Sequence, residues 1–255
     1  MPGSFNFPFE EIENVSIVYP DDKAFRIITW DFMVSPNEHK YYGLIQVNDS
    51  KSIVYELNDV SRTLQKPEIQ MLTAQKWFGC LVYNVKQFKT DEGMKYLLFG
   101  FNAHNAAEKI KLIDVLTLRG GAPRFGSTQA FNILERGKKK RLNRLIFYHG
   151  YESSMRVNFD DEMAMIVYDH LTAAPSSNPT VPFVNVPDGT YEALKLNNGV
   201  WEHIEKLPTT VMDEAPRPKP VIGKKKVVDK DNAKQFQWPD EIQKRKKKII
   251  RQAFR

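Results

Sequence analysis

Residues 77–118 constrain the fold more than any other stretch of the chain. They read WFGCLVYNVKQFKTDEGMKYLLFGFNAHNAAEKIKLIDVLTL, three runs rich in apolar, β-branched and aromatic residues, each followed by a polar segment holding Gly, Asn or Asp. That punctuation predicts a meander of antiparallel strands. The same grammar recurs on both sides of it. Residues 15–19 and 25–32 flank the turn Pro20-Asp21-Asp22-Lys23, and residues 41–47 and 52–57 flank Asn48-Asp49-Ser50. Together they predict a first meander of four strands.

Between the meanders, residues 58–76 lose the pattern. Pro67 interrupts, and Ile69, Met71 and Leu72 carry a weak helical spacing, so a connecting loop with one helical turn is expected. Gly120-Gly121-Ala122-Pro123 is expected to end the second meander. After a polar stretch with the basic cluster at 138–141, strands resume at 145–148, 155–159 and 163–168. The last hairpin has the strongest local signal: residues 191–196 and 200–207 enclose Asn197-Asn198-Gly199, and Asn-Gly supplies the two positive φ angles of a type I′ turn.

About twelve strands without a long amphipathic helix predict an all-β domain over residues 1–210. Its antiparallel meanders would pack as a sandwich or a partly closed barrel, with a small propeller as the alternative. A chain of 255 residues is long enough to bury one sizeable core without a metal or disulfide staple. Cys80, the single cysteine, sits inside an apolar run and reads as a small core residue.

The net charge of +6 is unevenly placed. Residues 215–255 hold 14 Lys and Arg against 4 Asp and Glu, which leaves 23 against 27 in residues 1–214. The body is therefore mildly acidic and a Pro/Lys-rich tail over 211–255 makes the protein basic. Pro216, Pro218 and Pro220 favour an extended linker, and Pro239, Asp240 and Glu241 signal the start of a short basic helix over roughly 239–254. Lys224, Lys225, Lys226, Trp238, Lys244, Arg245, Lys246, Lys247 and Lys248 are the residues of this tail that would meet a partner. The partner could be a protein, nucleic acid or an anionic membrane, or the segment could simply be solvated. No apolar run reaches the roughly 18 residues of a membrane helix, and residues 1–11 lack the charged start and apolar centre of a signal peptide, so the chain as written is expected to be soluble.

Signatures of chemistry are sparse. His39, His104, His149, His170 and His203 are scattered, without H-E-x-x-H spacing or paired cysteines, so neither a metal nor another cofactor is expected. There is no G-x-S-x-G elbow, and Gly120-Gly121 lacks the spacing of a phosphate-binding loop. The strongest constellation is Tyr168-Asp169-His170-Leu171 at a strand end, with Tyr148-His149 on a neighbouring strand. Asp169 beside His170 is the pair that orients an imidazole for acid or base work. The structural alternative has Asp169 capping the turn toward Pro175 with His170 stacked beneath it.

An ordered set of segments carries a family resemblance. It comprises Phe5-Asn6-Phe7-Pro8-Phe9, Lys23-Ala24-Phe25-Arg26-Ile27 with Thr29-Trp30, Tyr42-Gly43-Leu44-Ile45-Gln46, and Trp77-Phe78-Gly79 before Cys80-Leu81-Val82-Tyr83. It continues with Tyr96-Leu97-Leu98-Phe99-Gly100, Ile113-Asp114-Val115-Leu116, Phe125-Gly126 and Met165-Ile166-Val167-Tyr168-Asp169-His170-Leu171. In these, residues 5–207 resemble a family of uncharacterised secreted or envelope proteins of Bacteroidota. The resemblance implies a periplasmic, envelope-associated or secreted location but no established activity, cofactor or catalytic residue. Family members generally carry a signal peptide and a further stretch ahead of the segment that here begins at Phe5, directly after Met1-Pro2-Gly3-Ser4.

The resulting expectation is a non-enzymatic binding or assembly module of the bacterial cell envelope, partnered by another envelope protein, with the tail as tether or docking segment. The alternative is a hydrolase or carbohydrate-active enzyme with a distributed site near Asp169 and His170. A cleft gathering several carboxylates or histidines there would favour the enzyme, and a filled core the module.

Overall fold

A computed structural model describes residues 4–207 apart from positions 8, 10, 11, 52, 136, 179 and 180. The tail over 211–255, including the expected helix and every tail residue named above, lies outside the described residues.

Strands β1 (Ser16–Val18), β2 (Phe25–Ser35), β3 (Glu38–Val47) and β4 (Val54–Asn58) form a first sheet in chain order, the expected meander. Strands β5 (Leu72–Thr73), β6 (Leu81–Thr90), β7 (Gly93–Asn102), β8 (Glu108–Arg119) and β9 (Ala122–Phe125) form a second, in the order β5-β9-β8-β7-β6. Next, β10 (Phe131–Glu135) and β11 (Lys138–Leu142) begin a third sheet, and β12 (Leu145–Gly150) returns to pair with β8. Finally β13 (Val157–Asp160), β14 (Met165–Pro175), β15 (Phe183–Asn197) and β16 (Val200–Ile204) complete the third sheet, in the order β11-β10-β16-β15-β14-β13. Every pairing between these strands is antiparallel except the short parallel contact of β10 with β16. The sheets are open and form no closed barrel, so the architecture is an all-β sandwich.

The second sheet is the middle layer. Along β7, Tyr96 and Leu98 face a core shared with Phe25, Ile27 and Ile45 of the first sheet, while Leu97 and Phe99 face a core shared with Phe131, Ile166, Leu194 and Trp201 of the third. Strand β8 does the same, with Ile110, Leu112 and Leu116 on one side and Ile113 and Val115 on the other. A strand buried on both faces reads as a continuous apolar run rather than an alternating one. This explains why residues 77–118 dominate the sequence. At 25 cal/mol per Å², a fully buried Leu or Phe contributes about 1.5–3 kcal/mol relative to exposure.

The middle layer also holds charge. Asp114, between Leu112 and Leu116, pairs with Arg144 at 3.0 Å, with side-chain exposures of 2% and 0%. Arg144 Nη1 donates to the carbonyls of Pro67 and Gln70, fastening the 3₁₀ turn Pro67–Ile69 to this layer.

Several local expectations change. Gly120 and Gly121, at φ 60° and 84°, do not end the meander but turn β8 into β9 within the same sheet. Residues 138–141 are not an irregular polar stretch but most of strand β11. Lying at the sheet edge with Lys138, Lys139, Lys140 and Arg141 exposed, it carries no apolar alternation and is guarded by charge. Asn198 and Gly199, at φ 48° and 81°, make the expected type I′ turn between β15 and β16.

Candidate functional site

The two strand pairs that flank the end of the third sheet part from each other and open a cleft. Strand β10 stays in parallel register with β16 only through Phe131↔Trp201 and Asn132↔Glu202. Past that point, the Leu134 N–H donates to Nδ1 of His203 at 3.2 Å instead of to a backbone carbonyl. The resulting space, 520 Å³, lies between β12 of the middle sheet and β10, β14, β15 and β16 of the third. Its volume falls in the range of small-molecule sites. Ile133, Leu142, Leu145, Ile146, Phe147 and Leu171 make an apolar lining, onto which Glu68, Glu135, Asp169, Glu192, Glu205, His170, His203 and Tyr168 project. Among the described residues, five carboxylates and no lysine or arginine line it.

A chain of hydrogen bonds orders the polar side. Because the Leu134 N–H is a donor, His203 Nδ1 must accept, so the ring proton sits on Nε2, which donates to Glu192 Oε2 at 3.0 Å. Tyr168 lies nearly parallel to the His203 ring, centroids 6.3 Å apart. His170 Nε2 stands 3.7 Å from Glu192 Oε1, and His170 Nδ1 is 2.8 Å from Asp188 Oδ2.

The electrostatics fix Glu192 as an anion. Burial alone would raise its pKa, but the hydrogen bond from His203, the Tyr168 hydroxyl and the His170 imidazole nearby outweigh it, and the net shift is downward. Asp188 is brought down to about 2, first by the hydroxyl and backbone N–H of Thr190 and then by His170. Tyr168 moves the opposite way, raised first by burial and then by Glu192.

The local backbone explains how His170 reaches this chain. Strands β14 and β15 are in register at Asp169↔Tyr191 and again at Leu171↔Pro187, so His170 alone opposes residues 188–190. Gly189, at φ 88°, turns that bulge, and the bulge aims His170 and Asp188 at each other.

Asp169 and His170 therefore both line the cleft, as their residue types suggested, but Asp169 does not orient His170. Asp169 is buried, and its Oδ2 accepts from the Arg156 N–H at 2.7 Å, a bond returned by the Asp169 N–H to the Arg156 carbonyl. It fastens β14 to the residue preceding β13 rather than capping a turn toward Pro175. The imidazole's carboxylate is Asp188.

His149 does not join the cleft. It is 1% exposed, with Nδ1 near Ser153 Oγ at 3.1 Å and the Gly150 carbonyl at 3.2 Å, and Nε2 has no hydrogen-bond partner. Burial lowers its pKa, so it is held as the neutral ring.

Asp188, Glu192, His203 and Glu205 were not singled out from the sequence. The type I′ turn contained the signal for two of them. It sets Asn197↔Val200 and hence Leu194↔His203, which places Glu192, two residues before Leu194, diagonally across from His203 on one face. No such signal exists for Asp188, because the bulge breaks the count.

Among the described residues, no group of three or more His, Cys, Asp or Glu side chains is placed to hold a metal ion. No helix there is long and apolar enough to cross a membrane. Fold and cleft together define the class: an all-β sandwich with an acidic, partly apolar cleft between two of its layers. Compared with models of protein families, with curated proteins and with solved structures, the chain has no match in any of the three.

Proposed function

We propose that the protein is a non-enzymatic binding module of the bacterial cell envelope whose cleft receives a basic segment of another envelope protein. The basic stretch after residue 211 serves as its tether or docking segment. The envelope setting rests on the family resemblance, and the binding role rests on one observation: Glu192 is held ionised by donors that leave it no free proton to give. A general acid needs a raised pKa, whereas a fixed anion on an apolar floor suits a lysine or arginine flanked by apolar residues. The five carboxylates also repel polyanions, so the cleft itself is not a surface for nucleic acid or anionic lipid.

The test is a fluorescence titration with labelled hexalysine and hexaglutamate peptides at low and physiological salt. Hexalysine binding that weakens at least tenfold in a Glu192→Gln, Glu205→Gln variant is the expected result, and equal binding by the variant overturns the reading. Pull-downs from envelope extracts with and without residues 215–255 test the tail, since identical partners in both would remove its role.

A hydrolase or carbohydrate-active site is the second reading. What favours it is the cleft itself, which gathers several carboxylates with His170 and His203, together with the His170–Asp188 pair, a carboxylate-oriented imidazole with 41% of its side chain exposed. Turnover of chromogenic glycoside or ester substrates that disappears in His170→Ala, with melting unchanged, would establish it.

A further inference from the structure

The edge of the middle sheet carries a second polar site, of opposite sign. Strands β8 and β9 pair Thr117 with Arg124, and β5 adds Thr73 opposite the same Arg124. Extending the β7–β8 register one step past Tyr96↔Leu116 puts Lys95 beside Thr117. Side chains two apart on a strand share a face, so Lys95 and Thr117 lie on the face of Leu97 and Val115, just beyond the apolar core. A row Lys95–Thr117–Arg124–Thr73 thus crosses four strands. Lys95, Thr117 and Arg124 of this row line a cavity of 470 Å³, which Ser127 and Thr128 border from the loop after β9 and Glu92 borders from the β6–β7 turn.

Donors exceed acceptors in this cavity. Lys95 is 8% exposed, and its ammonium reaches Ser127 Oγ at 3.0 Å and Glu92 Oε2 at 3.0 Å, so two of its three protons are used. The Arg124 side chain has no hydrogen bond or ion pair among the described residues, which leaves its guanidinium fork available in a cavity that Thr117, Ser127 and Thr128 also line. Among the described residues Glu92 is the one carboxylate that lines the cavity; its side chain is 60% exposed, so solvent screens its hold on the buried ammonium and an incoming anion can compete for it.

We infer that this cavity binds a tetrahedral oxyanion, a phosphate or sulfate group, with Lys95 as the buried point charge, Arg124 as the bidentate arm and the hydroxyls completing the shell. Guanidinium forks match such anions two bonds at a time, and a desolvated ammonium binds them more strongly than one in water. The group could arrive as a free ion, as a phosphomonoester, or on a lipid headgroup, and the chemistry recognised is the same.

Calorimetric titration of the full chain with inorganic phosphate, sodium sulfate and glycerol phosphate, each against chloride of equal ionic strength, tests the inference. Co-sedimentation with phosphatidic acid vesicles against phosphatidylcholine vesicles adds the lipid source. Saturable binding in at least one arm is expected, weakened tenfold or more by Arg124→Gln and strengthened several-fold by Glu92→Gln, which removes the competing carboxylate. Arg124 is exposed, so its variant keeps the fold, and an unchanged melting temperature without ligand verifies that. No binding above the chloride control in any arm, or binding that Arg124→Gln and Lys95→Gln leave unchanged, overturns the inference.

Discussion

The buried pair at the heart of the middle layer makes the sharpest stability prediction. Replacing Asp114 by Asn conserves shape and the acceptor for the Val115 N–H but removes the carboxylate bonded to Arg144, whose side chain is fully buried. The guanidinium would retain only the carbonyls of Pro67 and Gln70, and its Nη2 already lacks a partner. Breaking a buried pair by removing one member costs about 3–5 kcal/mol. With the roughly 200 residues of the all-β domain and an unfolding entropy of about 2.1 cal/mol/K each, the melting temperature should fall by about 7–12 °C. Thermal unfolding followed by circular dichroism at pH 7 measures this directly. A double variant, Asp114→Leu with Arg144→Met, should recover most of the loss, because an apolar pair of similar volume fills the same space without stranding a charge. If Asp114→Asn melts within about 2 °C of the parent, or the double variant is no better than the single, the argument that desolvation makes this pair obligatory is wrong.

Acid should weaken the fold in two separable steps. His149 and His104 are held neutral by burial, with folded pKa values below the ordinary 6.5, so below pH 6.5 the unfolded chain takes up protons that the folded chain refuses. Stability therefore falls as the pH drops from 7 to 5, and His149→Phe should flatten that part of a melting-temperature profile. Glu192 has a depressed folded pKa, so its contribution is present above the unfolded value of 4.5 and is lost as the pH falls further. Consequently, Glu192→Gln should lower the melting temperature at pH 7 by a few degrees, and the difference from the parent should shrink as the pH falls below 4.5. Gly100→Ala should destabilise by about 1–3 kcal/mol in urea unfolding, since its new methyl group would lie 2.6 Å from Cys80 Sγ inside the first core.

Much of the fold was legible because the chemistry of its turns is local. Asn198-Gly199 defines both the last hairpin and its register, and the apolar runs of β7 and β8 announce strands with no solvent face. Strand β11 was not legible, because an edge strand with Lys138–Arg141 exposed has no buried face to impose a period. Site legibility divides in the same way. His170 stood out by type, and Glu192 with His203 follow from the hairpin register. Asp188 depends on a bulge of residues 188–190 opposite a single residue, which no count along either strand anticipates. The pairing of Asp169 with Arg156 was hidden for a different reason: its partner is a backbone N–H, and every residue offers one.

The middle sheet's lack of a wet face has a consequence for how this chain can be divided, by experiment or by evolution. Residues 77–118 cannot be expressed with only one of their flanking layers without turning Tyr96 and Leu98, or Leu97 and Phe99, outward as a broad apolar surface. A fragment cut at either side of the third sheet would therefore aggregate rather than persist as a half-domain. New sequence can be accommodated at hairpin tips such as Asp49–Ser50 or Asp161–Glu162, while the order in which the three layers are visited is a property the lineage cannot change piecemeal.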